Sequence, residues 1–436
     1  MPSVGLLSAI LLIGASLVAL AGRYISLHPS RSFHLFLTTW FIGLIASEFA
    51  LFWALWLVIL GVATVAFDGL GTPVGWVALA LGAFALAGQL SLVFHALRAG
   101  AHVHQVIAEH VAPGRSPRFP LSHLILPPLF LFRGGVKHDR NIVFAENGGV
   151  RLKLDVYRPK AGRPEDRRPA IIHVHGGGWV WGTRREQGIA LLNHLAANGW
   201  VGFNIEYRRS PLATHPEGLV DIKSAIAWVR DHADELGVDP GFVAITGGSA
   251  GGHLSALAAL TSDDPSLQPG FEDSDTSVAA AVPFYGVYDL TDPDEVQWRY
   301  LRSWVIEPLF MKKPFAEHPD LYEQASPTHR VHPDAPPFLI VHGAGDSITS
   351  PRDARTFAAR LAEVSDNPVL YAELPFAQHA FDLLPSLRTA GVVRAVERFL
   401  SGAYAGYLEH GDSGEIIDEA EQRVPESEVV SAGSRG

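Results

Sequence analysis

Three long stretches almost without charge fill the start of this 436-residue chain. Residues 4–21 and 74–97 contain no Asp, Glu, Lys or Arg, and residues 35–67 contain only Glu48. About 20 consecutive apolar residues cross the hydrocarbon core of a bilayer. Runs this long, separated by short polar turns, leave a small unit nowhere to bury them as core helices. Residues 1–100 are therefore expected to form a transmembrane helical anchor of about three spans. Ala19-Leu20-Ala21 resembles the end of a cleavable signal, but the N-terminus lacks the Lys or Arg that such signals carry. Retained helices are the expectation.

The turns give an orientation. Arg23 and Arg31 lie between the first two runs, Asp68 between the second and third, and Arg98, Arg115 and Arg118 after the third. Positive charge stays on the cytoplasmic side, so the chain beyond the third run is expected in the cytoplasm, at the face of a multi-pass membrane protein. Cleavage of the first run would place it outside instead. Glu48 has three open readings: a functional carboxylate within the membrane, a residue near the interface, or a structural or protonated group, the more frequent outcome for an isolated case.

From about residue 141 the texture changes to short β-branched runs alternating with helical periodicity. Strands are predicted at 141–146, 151–158, 170–175, 201–206, 242–246, 278–284, 337–342 and 369–374. Helices are predicted at 218–236, 250–260, 351–364 and 386–400. Two initial strands and then β-α alternation predict an α/β fold: a mostly parallel sheet with helices on both faces. Residues 101–140 read as a linker or cap segment, and 141–405 as a catalytic domain. The irregular stretch 289–336, rich in Trp, Tyr, Pro and charge, is too long for an ordinary connection and reads as a cap insertion. Residues 406–436 carry eight acidic residues against Arg423 and Arg435 and read as a disordered tail.

Composition removes several function classes. A net charge of -11 with no Lys/Arg-rich run gives no footprint for nucleic acid. With no cysteine there is no disulfide, thiol nucleophile or Cys-ligated metal. The 20 histidines include no H-E-x-x-H spacing, and no metal is expected at His102 and His104.

Four motifs carry chemistry. Gly247-Gly248-Ser249-Ala250-Gly251 sits directly between a predicted strand and a predicted helix. A nucleophile elbow needs that context, because small flanks let a strained turn lift the serine hydroxyl clear of the sheet. A glycine-rich turn without catalysis is the alternative. About seventy residues upstream, His175-Gly176-Gly177-Gly178-Trp179 follows another strand. Bare backbone N–H groups there suit an oxyanion, and Gly177 and Gly178, with Ala250 after the serine, are the expected donors. The loop lacks the G-K-[ST] ending of a phosphate loop, and His175 reads as a loop-ordering residue. Asp346 follows the 337–342 strand, and His379 follows the 369–374 strand, in the order Ser, acid, His. His379 is the candidate general base and Asp346 the residue that orients it. Asp353 and Asp382 are the rival acids, and Asp346 has a competing reading as a helix N-cap alongside Ser350.

Over residues 141–402 the chain resembles the HGGG-type α/β-hydrolases, the hormone-sensitive-lipase-like carboxylesterases. The resemblance rests on the His175–Trp179 motif, Glu206-Tyr207-Arg208, Asp239-Pro240, Gly248-Ser249-Ala250-Gly251-Gly252, Asp346, and His379 with Phe381. With the apolar N-terminus it is similar to the membrane-associated Lip esterases of actinobacteria. The resemblance implies an esterase or lipase working through a Ser249 acyl-enzyme on small-molecule or lipid esters, with no cofactor. Trp179, Trp181 and aromatics of 289–336 are candidate pocket walls. An acyltransferase or peptidase with the same triad, and a silent membrane scaffold, stay open. Two positions depart from the family: Gly248 replaces its usual acid, and Gln378 stands where glycine is common.

Overall fold

The computed structural model describes residues 4–28, 35–111, 118–120, 134–262, 264–297 and 299–421. Arg31, Arg115, much of the 101–140 linker and residues 422–436 of the acidic tail lie outside the described residues.

Four helices come first: α1 Val4–Leu27, α2 Phe36–Glu48, α3 Ala50–Ala66 and α4 Pro73–Ile107. Helices α1 and α4 are each long and apolar enough to cross a membrane. The α2–α3 pair meets that test only jointly and is bent by 70°. The bend falls at Phe49, whose φ of -100° and ψ of 18° leave the helical range. Helices α1, α3 and α4 pack together, with Leu12, Leu57 and Ala78 in a small core of their own.

The rest is one eight-stranded sheet. Its strands are β1 Val136–Asn147, β2 Val150–Pro159, β3 Arg168–Val174, β4 Val201–Ile205, β5 Val238–Gly248, β6 Ala280–Phe284, β7 Phe338–Gly343 and β8 Val369–Leu374. They lie in the order β1-β2-β4-β3-β5-β6-β7-β8. The β1–β2 and β2–β4 pairs are antiparallel and the others parallel, which is the mostly parallel α/β sheet expected. Central strands such as β3 are buried on both faces, so they are continuous apolar runs instead of alternating ones.

The covering helices are α5 Ile189–Ala197, α6 Glu217–Asp231, α7 Ala250–Ala259, α8 Pro351–Val364 and α9 Leu387–Glu421. Helix α5 is absent from the sequence-based expectation. The helix predicted to reach residue 236 is interrupted at His232, and α9 continues through the start of the predicted tail to Glu421. The cap insertion holds a π-helical segment, Arg302–Met311, containing Pro308.

The main departure concerns the anchor. Helix α4 does not stop at the end of the helical bundle: Ala99, Val103 and Ile107 are buried with Leu195, Val392 and Phe399 in the core on one face of the sheet. Gly100 and Gly391 make that approach possible, since a Cβ on Gly100 would sit 2.6 Å from the Gly391 Cα. Part of the segment read as linker is thus core of the α/β domain.

Glu48 supplies the second connection. Its carboxylate is buried against Arg388 of α9, with Nε–Oε1 at 2.9 Å, and accepts a 2.5 Å hydrogen bond from Ser386. The structural reading of Glu48 left its partner unnamed; that partner is Arg388 of the α/β domain. Arg388 also donates to the carbonyls of Pro375 and Phe376, at 2.9 and 3.4 Å. Removing one partner leaves an uncompensated buried charge, so Glu48→Ala is expected to cost about 3–5 kcal/mol of stability. The Glu48→Leu, Arg388→Met pair is expected to recover most of that loss in denaturant melts of the full chain in detergent.

Candidate active site

Ser249 stands where β5 ends and α7 begins, with φ 58° and ψ -123°. A non-glycine residue at this angle is strained and persists only where its surroundings enforce it. Its N–H donates to the Phe284 carbonyl on β6 at 3.0 Å. The flanks must be bare: a Cβ on Gly251 would lie 2.0 Å from the Val174 carbonyl oxygen on β3. The turn therefore lifts the serine hydroxyl above the sheet while β3, β5 and α7 stay in close contact.

The loops after β7 and β8 bring the other two residues to it. His379 Nε2 is 2.9 Å from Ser249 Oγ, and His379 Nδ1 is 2.7 Å from Asp346 Oδ2. The carboxylate can only accept, so Nδ1 carries the proton and Nε2 faces the serine as an acceptor. Asp346 Oδ1 accepts from the N–H groups of Ile348 and Thr349 at 2.8 and 2.9 Å. Oδ2 also accepts from the Thr349 hydroxyl at 3.0 Å, and His342 Nε2 lies 3.3 Å away. Burial pushes the Asp346 carboxyl up, but the charge of His379 and hydrogen bonds from His342 and His379 outweigh it and hold the group well below its usual range.

The rival acids are engaged elsewhere. Asp353 accepts from the Tyr288 N–H and the Gln297 amide, both at 2.7 Å, and burial pushes its carboxyl well up. Asp382 takes the Tyr285 hydroxyl. Ser350 caps α8.

A third loop closes the site. Gly177 at φ 122° and Gly178 at φ 58° border the same cavity as Ser249 and Ala250. No acceptor for the N–H groups of Gly177, Gly178 or Ala250 is found among the described residues. His175 orders the loop. Its Nδ1 contacts the Gly176 carbonyl at 2.9 Å, its ring stacks on Tyr207, and burial lowers it to about 3, so it is neutral. The Gly176 N–H donates to Gln187 Oε1 at 2.7 Å.

The cavity measures about 410 Å³, and Trp181, Val287, Leu301, Val305 and Leu383 are among its apolar walls. Trp179 contributes a wall but is itself buried, donating to His253 Nδ1 at 3.1 Å and stacking on Phe310. The cap meets the cavity with aliphatic Leu301 and Val305, whereas aromatic walls were expected from it.

Comparison with known proteins agrees with this geometry. The BD-FAE family model matches residues 154–361. The probable carboxylic ester hydrolase LipM of Mycobacterium tuberculosis is 40% identical over 384 residues, covering 85% of this chain and 87% of the relative. The chain belongs to the hormone-sensitive-lipase-like α/β-hydrolase esterases. Esterase LipQ of the same organism is 44% identical over 260 residues, covering 59% of this chain and 61% of the relative. Among solved structures, apo Thermogutta terrifontis esterase 2 superposes with a TM-score of 0.51 at 28% identity, over 66% of this chain and 98% of that one.

Against the family pattern, the departures have local explanations. A Cβ on Gly248 would lie 2.6 Å from the Tyr285 hydroxyl, so the tyrosine fills the space that a side chain at 248 would need. Gln378 Oε1 accepts from the N–H of His379 at 3.0 Å and of Ser347 at 3.2 Å, tying the two catalytic loops together. Sequence reasoning missed Trp40 of α2. Its indole N–H donates to the His379 carbonyl at 2.9 Å, and its ring lines the cavity with Leu37. No local signal marks a tryptophan inside an apolar run as part of a site 339 positions away.

Gly248→Asp is expected to destabilise the protein by about 1–3 kcal/mol through overpacking against Tyr285, seen as a lower melting midpoint. Asp346 carries a pH signature. A carboxyl whose folded value is depressed adds stability above its ordinary value of 3.8 and loses it as pH falls toward the lower folded value. The destabilisation by Asp346→Asn is therefore expected to be largest at neutral pH and to shrink below pH 3.8 in urea titrations.

Proposed function

We propose that this esterase hydrolyses carboxylic esters by two-step acyl transfer, with Ser249 as nucleophile, His379 as general base and Asp346 as its orienting partner. The observation that carries the reading is the unbroken hydrogen-bonded chain Ser249–His379–Asp346 at the wall of an apolar cavity. His379 takes the serine proton as Oγ attacks the ester carbonyl, and Asp346 stabilises the imidazolium that forms. The carbonyl oxygen becomes an oxyanion held by the N–H groups of Gly177, Gly178 and Ala250, the last at the N-terminus of α7. His379 then protonates the departing alkoxide. A water, deprotonated by the same imidazole, releases the acid from the acyl-serine. The chemistry calls for no cofactor. The relatives' names, carboxylic ester hydrolase and esterase, support this reaction class.

The apolar helices support placement as a multi-pass membrane protein, with α1, α4 and the bent α2–α3 pair as the crossing elements. Arg23 donates to the Gly88 carbonyl at the end of the bundle nearest the catalytic domain, while Gly5 lies against Phe67 and Gly69 at the other. With positive charge held inside, the catalytic domain faces the cytoplasm.

Hydrolysis of a p-nitrophenyl ester series is expected from purified wild-type protein and lost by roughly 10⁴–10⁶-fold in Ser249→Ala. Equal turnover by the two proteins would sink the assignment. A green fluorescent protein fused after the last residue is expected to fluoresce, and a periplasmic phosphatase in its place to stay inactive; the reverse would place the domain outside.

A further inference from the structure

Helix α2 is an odd anchor element. It is short, it bends away from α3 by 70°, and it touches the loop that carries His379. Trp40 is bonded to the His379 backbone, and Glu48 at the helix end is paired with Arg388. Its outer side is apolar and bare: Leu35 is 53% exposed, Leu37 50% and Phe41 56%. In water such a stripe is a liability, whereas in a leaflet, beside the apolar α3, it is at home.

The same helix forms a wall of the active-site cavity through Leu37 and Trp40. Of the residues lining the cavity, the exposed Leu37, Trp181 and Leu383 are apolar, whereas Glu186 and the Tyr285-bonded Asp382 are its acidic members. No Lys or Arg lines the cavity among the described residues. A phosphate-bearing ligand would meet no counter-charge there and a carboxylate at the rim. An uncharged ester would meet chiefly apolar side chains there, among them Leu37, Trp181, Val305 and Leu383.

We infer that α2 lies in the plane of the membrane as the doorway of the site, so that the acyl chain of an uncharged, bilayer-dissolved ester enters sideways past Leu37 and reaches Ser249 without crossing water. This rests on the hydrolase reading and adds the route and the physical state of the substrate. Trp40 then serves two ends, as the inner doorpost and as a positioning residue for the His379 loop. The helix cannot swing away as a simple lid, because both ends of its inner face are bonded to the catalytic domain.

The test uses the full chain reconstituted in phosphatidylcholine vesicles. Two substrates are compared: soluble p-nitrophenyl butyrate, and a fluorogenic oleoyl ester dissolved in the bilayer. The variant Phe41→Ser, Ile42→Ser changes two exposed residues of α2, 56% and 39% exposed, that do not line the cavity. It is expected to leave butyrate turnover at the wild-type level and to lower kcat/KM on the vesicle ester by roughly tenfold or more, mainly through KM. Because the chain has no cysteine, Phe41→Cys also accepts a single fluorescent label, whose emission is expected to be quenched by shallow spin-labelled lipid and shielded from aqueous iodide. Unchanged vesicle turnover, an equal loss on both substrates, or quenching by iodide alone would overturn the inference. Failure of the wild type on butyrate would instead remove the hydrolase reading beneath it.

Discussion

The strained backbone at Ser249 is the constraint on which the rest of the site depends. A serine at φ 58° is held only because β5 delivers the chain into the sheet centre and β6 takes its N–H. Glycines on either side let β3 and α7 close around it. That turn puts the hydroxyl at the C-terminal ends of the parallel strands, where the loops after β3, β7 and β8 also emerge. The glycine loop, Asp346 and His379 each come from a different strand end, as open α/β sheets place their sites. Their distances are then a property of the sheet, and no single loop has to hold them all.

The helical N-terminus is built into this arrangement. Helix α4 runs from the bundle into the core beneath the sheet, and Gly100 against Gly391 sets how closely it meets α9. Glu48 reaches Arg388, which in turn holds the carbonyls of Pro375 and Phe376 just before His379. A carboxylate inside an apolar segment is costly alone; paired with a buried guanidinium it locks one domain onto the other. His379 is thus tied to Asp346 through its ring and to α2 through its backbone.

The parts of this protein legible in the sequence are those written in local pattern. Strands β3 to β8 announce themselves as β-branched runs, and Gly247–Gly251 and His175–Trp179 declare their glycines by adjacency. Asp346 stood out as the leading acid because it lies directly off a strand end between Ser249 and His379, with Asp353 and Asp382 left as rivals until the structure showed their partners. What escaped is long-range. The Glu48–Arg388 pair links positions 340 apart, and the core role of Ala99, Val103 and Ile107 looks in sequence like a helix merely running on. Helix α5 was hidden because Leu191 to Ala196 are buried throughout, so the segment has no polar face to show the 3.6-residue period. The glycine at 248 is explicable only once Tyr285 is seen beside it.

The central claim is that Ser249 is the nucleophile activated by this hydrogen-bonded chain. Its most direct test is to treat the folded, full-length protein with a fluorophosphonate and locate the adduct by peptide mass spectrometry. One stoichiometric adduct on Ser249, formed far more slowly in His379→Ala, is the expected result. An adduct on another residue, or none from protein whose fold is intact, would contradict it.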